Sequence, residues 1–439
     1  MASNQAFDFG SRKFVALLMP SPWRAWCAWL IFASVVATVV AVAPDYRTVT
    51  PNYRDACHNW FEGRPIYPPG VHGFLYFPHA AILFAPFSYA PPPMGEALWR
   101  IVSIGSLAWA VRRLSILKTQ NPAPAAKSSH EATWRLTFVL MTCAAIPPAI
   151  ASARNGQMNL LLAALTALAF VELAQKRWRA AAFWLCLGAA FKPLMIVPMG
   201  VAAVVYRPAL RPLAVGAFGL FLAPFLTQHP NYVWQQYQTC VHKLFLAGNP
   251  GSENPGSDLF GLLSFLGYAA PLIVQTTTRI IAGALTVALA LVALRRRRPV
   301  YAAWSVLALT TCYLALFNPR MENNGFVVLS PTLGLLAADA FLNRRNLLTG
   351  TMILVASLGI AGSYEITRGY NFWLCPLLTL FVWAHVIRDA LARDDKVPAG
   401  ELALGSASPD VADNGRDRRD QRQGRHQNQV DLDWQQAVS

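Results

Sequence analysis

Apolar residues fill this chain in blocks rather than in alternation. Runs of about 17 to 25 apolar residues recur along most of its length, as helices that cross a bilayer require, and short polar stretches separate them. Read as spans, they fall near 25–43, 94–111, 134–152, 158–175, 213–227, 277–294, 300–317, 326–342, 347–362 and 371–387. The stretch 180–206 predicts a hairpin of two shorter segments broken at Lys192-Pro193, since proline lacks an N–H and opens the helix. Backbone opened within a membrane must be buried in protein or line a wet cavity. Residues 76–92 are short and proline-flanked, which predicts a re-entrant or interfacial segment. With the hairpin counted as two passes, the pattern predicts an all-α polytopic membrane protein of about 11–13 transmembrane segments.

Composition agrees. Of 439 residues, 55% are hydrophobic and only 13% charged, about half the charge density of a soluble chain. The formal charge of +15 is unevenly spread: residues 1–388 hold 30 Lys/Arg against 12 Asp/Glu, and residues 389–439 hold 7 against 10. A basic excess in a membrane protein reports cytoplasmic loops facing anionic lipid, so membrane lipid rather than nucleic acid is the expected partner. The basic clusters Arg112/Arg113/Lys118/Lys127, Lys176/Arg177/Arg179, Arg207/Arg211, Arg295–Arg298 and Arg344/Arg345 can all lie inside in one arrangement. That arrangement gives a cytoplasmic N-terminal segment 1–24, an uncleaved first span, a transmembrane domain 25–388 and a cytoplasmic tail 389–439. The tail is polar and nearly free of aromatics, the composition of a disordered segment.

The same arrangement sorts the remaining polar residues to the outer side. There lie the first loop, Arg154–Asn159, Lys192 at the break, a long loop from Gln228 to Thr276, and Asn318–Asn324. Between Asp45 and His79 the first loop carries two aspartates, three arginines, three histidines and eight aromatics. A loop that only joins two helices needs none of these. Glu96 precedes Arg100 by one helical turn, the spacing of a structural ion pair. The seven cysteines lie mainly in apolar segments; Cys57 and Cys240 fall in outer loops, where a disulfide between them is left open. No GxxxxGK[ST], GxGxxG, HExxH or CxxC motif occurs, which argues against a nucleotide-driven pump, a Rossmann enzyme and a thiol-ligated zinc site.

A transferase that activates a hydroxyl needs a carboxylate base, and a phosphate leaving group needs cations. Asp45 and Asp55 are the candidate bases. Arg154, Lys192 and Arg320 are the candidate phosphate ligands, since charges near the membrane are expensive and three together suggest a shared anion. His58, Tyr67, Tyr76, Gln157, Asn159, Glu322, Asn323 and Asn324 are the candidate substrate contacts. Each has a plainer alternative: the aspartates to solubilise a loop, the aromatics to form an interfacial belt, Arg154 to snorkel, Asn323 and Asn324 to cap a helix. Their shared sidedness favours a site. No cofactor or metal is required by these residues.

The order of motifs resembles glycosyltransferase family 87. It comprises an aspartate-bearing outer loop, Gly63-Arg64-Pro65-Ile66-Tyr67, Tyr76-Phe77-Pro78, Arg154-Asn155-Gly156-Gln157-Met158-Asn159-Leu160-Leu161, Lys192-Pro193, and Asn318-Pro319-Arg320-Met321-Glu322-Asn323-Asn324. The resemblance implies a membrane enzyme of the GT-C type that moves a hexose, often mannose, from a polyprenyl-phosphate carrier to a lipid or glycan acceptor at the outer face. An outer-loop aspartate would act as base, with inversion at the anomeric carbon. The chain departs from the pattern in its first loop: Asn52-Tyr53 stands near the family's acid–aromatic position, with Asp45 upstream and Asp55 downstream. The alternatives are a flippase or transporter for lipid-linked sugars and a catalytically inactive relative.

Overall fold

The computed structural model describes residues 22–44, 47–70, 72–119, 127–248, 256–367 and 373–392, with backbone alone for 127–132. These residues fall within one compact unit, and no strand occurs among them. In chain order the helices are α1 (Pro22–Val42), α2 (Thr50–Phe61), α3 (Pro78–Leu83), α4 (Ala85–Ser88), α5 (Pro92–Thr119) and α6 (Lys127–Asn155). Then come α7 (Asn159–Ala174), α8 (Trp178–Phe191), α9 (Ile196–Val205), α10 (Leu210–Leu222), α11 (Pro230–Gly248) and α12 (Leu259–Phe265). The last are α13 (Leu272–Arg296), α14 (Pro299–Phe317), α15 (Ser330–Ala338), α16 (Leu347–Ala361), α17 (Ser363–Ile366) and α18 (Leu374–Leu391).

Among the described residues seven helical stretches are long and apolar enough to cross a membrane: α1, Thr133–Asn155, Arg207–Leu226, α13, α14, Asn323–Asn343 and α18. Four shorter apolar helices accompany them: α7, α8, Pro193–Val205 and α16. The protein is an all-α, multi-pass membrane protein. Helices apolar all round belong in the centre of such a bundle. Accordingly α14 and Asn323–Asn343 are each 83% buried, while α1 is 22% and Arg207–Leu226 17% buried and turn their apolar sides outward.

The break at Lys192 follows from local rules. A residue before proline is pushed out of the α region, and Lys192 is extended at φ −148°, ψ 127°. A short 3-10 turn, Pro193–Met195, leads into α9. The chain then doubles back, so that the Tyr206 ring lies tilted beside Trp178 with centroids 6.3 Å apart. The Met195 side chain packs against Gly188, where a Cβ would stand 2.2 Å from the Met195 Cε.

The first loop is not loose. Glu96 and Arg100, both buried, pair at 2.6 Å on α5. Arg54 of α2 joins Glu96 at 2.9 Å, and Thr50 donates to the same carboxylate. Arg100 also donates to Thr48 Oγ1 at 2.8 Å and to the carbonyls of Ala153 and Arg154 at 3.1 and 3.2 Å. One buried carboxylate thereby ties the first loop, α5 and the end of α6 together.

Three regions refine or correct the sequence reading. Within residues 76–92 two short helices form, with His79, Ala80, Ala81 and Phe84 buried against the protein, an arrangement open to a re-entrant segment but not to a purely surface-lying one. The expected loop 228–276 contains α11 and α12. Its buried positions Val233, Gln236, Cys240, Lys243 and Ala247 recur every three or four residues, while Trp234, Val241 and Phe245 point outward. Both faces are mixed, with Gln236 and Lys243 among the buried positions and Gln235, Gln238, Thr239 and His242 among the exposed ones, so no clean apolar stripe marks the helix in the sequence. Finally, α18 runs through Leu391, with Asp389 paired to Arg297 at 2.9 Å and to Arg344; the tail beyond 392 lies outside the described residues. Cys57 and Cys240 are both free thiols, so the disulfide left open above does not form.

Candidate active site

Gly156 ends α6 in the left-handed region, φ +74°, where a side chain would also collide with the Arg100 guanidinium 2.5 Å away. Its carbonyl accepts from the Trp99 indole at 2.8 Å. The turn delivers Gln157 and Asn159 to the start of α7, both buried. There Asn159 Oδ1 accepts from Lys192 Nζ at 2.5 Å. The loop after α14 brings Arg320 and Glu322 to the same place, steadied by Ser257 N donating to the Met321 carbonyl at 2.7 Å.

These elements enclose a cavity of about 420 Å³. Its wall includes Asn52, Tyr76, Gln157, Asn159, Lys192 and Glu322, with Arg320, His72 and Asn318 beside them. Six of the residues proposed from the sequence therefore share one hollow: Tyr76, Gln157, Asn159, Lys192, Arg320 and Glu322. A chain of amides links them. Gln157 Nε2 and Asn324 Nδ2 donate to Glu322 Oε2 at 3.1 and 3.2 Å. Asn159 Nδ2 contacts Gln157 Oε1 and Asn324 Oδ1, each at 3.5 Å. Lys192 also lies 5.7 Å from the Tyr76 ring centroid, and its charge interacts with that of Glu322. Tyr76 shares a 2.9 Å hydrogen bond with Tyr53. Burial pushes the Tyr76 hydroxyl up to about 12, so it stays protonated and can donate.

Other candidates sit elsewhere. Asp55 is exposed on α2 and is not on the cavity wall; Asp45 lies outside the described residues. His58 shares a 3.1 Å bond with Ser88 and packs on Tyr89. Tyr67 stands behind the wall, donating to the Tyr76 carbonyl at 2.8 Å. Asn323 turns to Ser363 at 2.7 Å. Arg154 is half-buried off the wall, and its carbonyl serves Arg100.

One cation escaped the sequence reading. Lys243, on the inner face of α11, is 4% exposed and donates to the Pro68 carbonyl. Its ammonium lies 3.9 Å from where a Cβ on the cavity residue Gly73 would stand. Burial, and then the nearby Arg320 charge, hold its pKa below the usual ammonium range. No carboxylate pairs with it among the described residues. The signal was available, since Lys243 sits in register with Gln236 and Cys240, but a lysine on an inner face is not sought by hydrophobic periodicity. Among the described residues no group of three His, Cys, Asp or Glu side chains could hold a metal.

The profile of glycosyltransferase family 87 matches residues 74–331, more than half of the chain. The chain belongs to glycosyltransferase family 87. It is therefore a membrane glycosyltransferase, and the matched region contains Tyr76, Gln157, Asn159, Lys192, Lys243, Arg320 and Glu322 of the cavity region. No curated protein matches this glycosyltransferase.

Proposed function

We propose that this transferase moves a hexose, mannose by the family resemblance, from a polyprenyl-phosphate carrier to a lipid or glycan acceptor at the outer face of the membrane, with inversion. One observation carries the reading: Lys192, Arg320 and the adjacent Lys243 gather at one hollow that holds a single described carboxylate on its wall. Lys243 is buried and Lys192 and Arg320 are half-buried, and cations withdrawn from water in excess of anions call for an anionic ligand. The carrier phosphate supplies that charge, and it becomes more negative as the sugar–phosphate bond breaks. Fixed cations then stabilise the transition state more than the ground state. Arg320 and Lys243 hold the phosphate, Lys192 stands between phosphate and sugar, and Tyr76, Gln157 and Asn159 bind sugar hydroxyls. Basic clusters away from the cavity are occupied by acids: Arg113 pairs with Glu172 at 2.7 Å and Lys118 with Asp339 at 3.3 Å. Such pairing suits anchoring of helix ends better than a polar path for transport.

The test is direct. Purified protein in detergent, supplied with labelled polyprenyl-phosphate mannose, glucose or galactose and membrane lipid, is expected to release sugar from one carrier and form a labelled product. Release from none of the three would end the reading.

A further inference from the structure

An acceptor hydroxyl that attacks an anomeric carbon must lose its proton near the transition state, and a positioned base speeds that loss. Asn52 and Tyr76 face the hollow from the first loop, but an amide cannot take the proton and the buried phenol keeps its own. Asp55 is off the wall, and Asp45 lies outside the described residues. Glu322, in contrast, is on the wall and accessible.

Its setting is that of an oriented base. Both amide donors, Gln157 and Asn324, bind the same oxygen, Oε2. No described side chain donates to Oε1. One oxygen is thus anchored and the other left for a ligand. Asn159 bridges both donor amides and also binds Lys192, so the carboxylate and the cation are held by one amide network. His72 reaches the wall too, but it is exposed and nothing described orients its ring.

We propose that Glu322 is the catalytic base of the transfer, the role that the family resemblance gives to an outer-loop aspartate. This rests on the polyprenyl-phosphate reading above. The acceptor O–H bond breaks toward Oε1, and the freed electron pair of the hydroxyl oxygen forms the new bond to the anomeric carbon. The bond from that carbon to the phosphate oxygen breaks with its electrons on the phosphate, which leaves as polyprenyl phosphate beside the cations. The proton, now on Glu322, passes to water through the open side of the hollow.

Azide tests this, because it is a nucleophile with no proton to lose. The full chain in detergent is given the labelled polyprenyl-phosphate hexoses, with transfer to water and to azide measured side by side. Glu322→Gln is expected to lower transfer to water about 10²–10⁴-fold while glycosyl azide still forms, which also shows that the variant is folded. Glu322→Asp is expected to recover part of the transfer to water. Loss of water and azide transfer alike in Glu322→Gln, or retention of both, would overturn the proposal. So would azide rescue of Asp45→Asn or His72→Gln in its place. A wild-type protein that releases no hexose fails the parent reading instead, and is distinguished by the first lane.

Discussion

A buried ammonium is costly unless something negative meets it, and Lys243 has only the Pro68 carbonyl among described acceptors. A charge-assisted bond to phosphate is worth about 1.5–3 kcal/mol, so Lys243→Met is expected to raise the donor KM about tenfold to a hundredfold, with kcat less affected. Steady-state kinetics with the labelled carrier checks this. Only the protonated amine attracts phosphate, and its folded pKa is depressed by burial and by Arg320. Donor binding should therefore weaken as pH rises through a value below the ordinary lysine range. Lys243→Arg should hold its affinity to higher pH, since guanidinium does not lose its proton there. Residue-scale legibility was uneven for physical reasons. Gln157, Asn159, Lys192, Arg320, Glu322 and Tyr76 are polar groups beside apolar blocks and announce themselves. Arg154 looked equivalent but sits off the wall, where its peptide carbonyl serves Arg100.

At the scale of elements, placement of the first loop depends on Glu96. The sequence shows the one-turn spacing to Arg100, but not that Arg54, forty-two positions upstream, closes on the same carboxylate. Such a convergence is tertiary and has no local signature. Glu96→Gln would leave Arg100, 1% exposed, without its counter-charge. Breaking one side of a buried pair costs about 3–5 kcal/mol, and a clear fall in the melting temperature of the purified protein is expected. Because α2 carries Asn52 and Tyr53 of the cavity wall, activity should fall before global unfolding. Helix α11 shows the opposite limit of reading by pattern: Gln236 and Lys243 are buried on one side while Gln235, Gln238 and His242 stand among the exposed apolar residues on the other, so its periodicity carries no amphipathic signal.

For the whole molecule, the apolar blocks were enough to specify an all-α membrane protein, because a bilayer demands uninterrupted apolar helices and little else can satisfy it. Sidedness is a separate inference, resting on the distribution of Lys and Arg. The ion pairs support a consistent reading. Along α5, Glu96 and Lys118 are separated by 22 residues, or about 33 Å of helix, roughly the thickness of the apolar layer. Glu96 belongs to the first-loop network, and Lys118 joins Asp339, to which Arg344 also binds. If the cavity opens outward, exposed Arg64 of the first loop and exposed Arg345 must lie on opposite faces. In a chain with exposed Cys143 changed to serine, Arg64→Cys should react with an impermeant maleimide on intact cells. Arg345→Cys should react only after the membrane is opened. The reverse labelling would place the hollow on the cytoplasmic side and overturn transfer at the outer face.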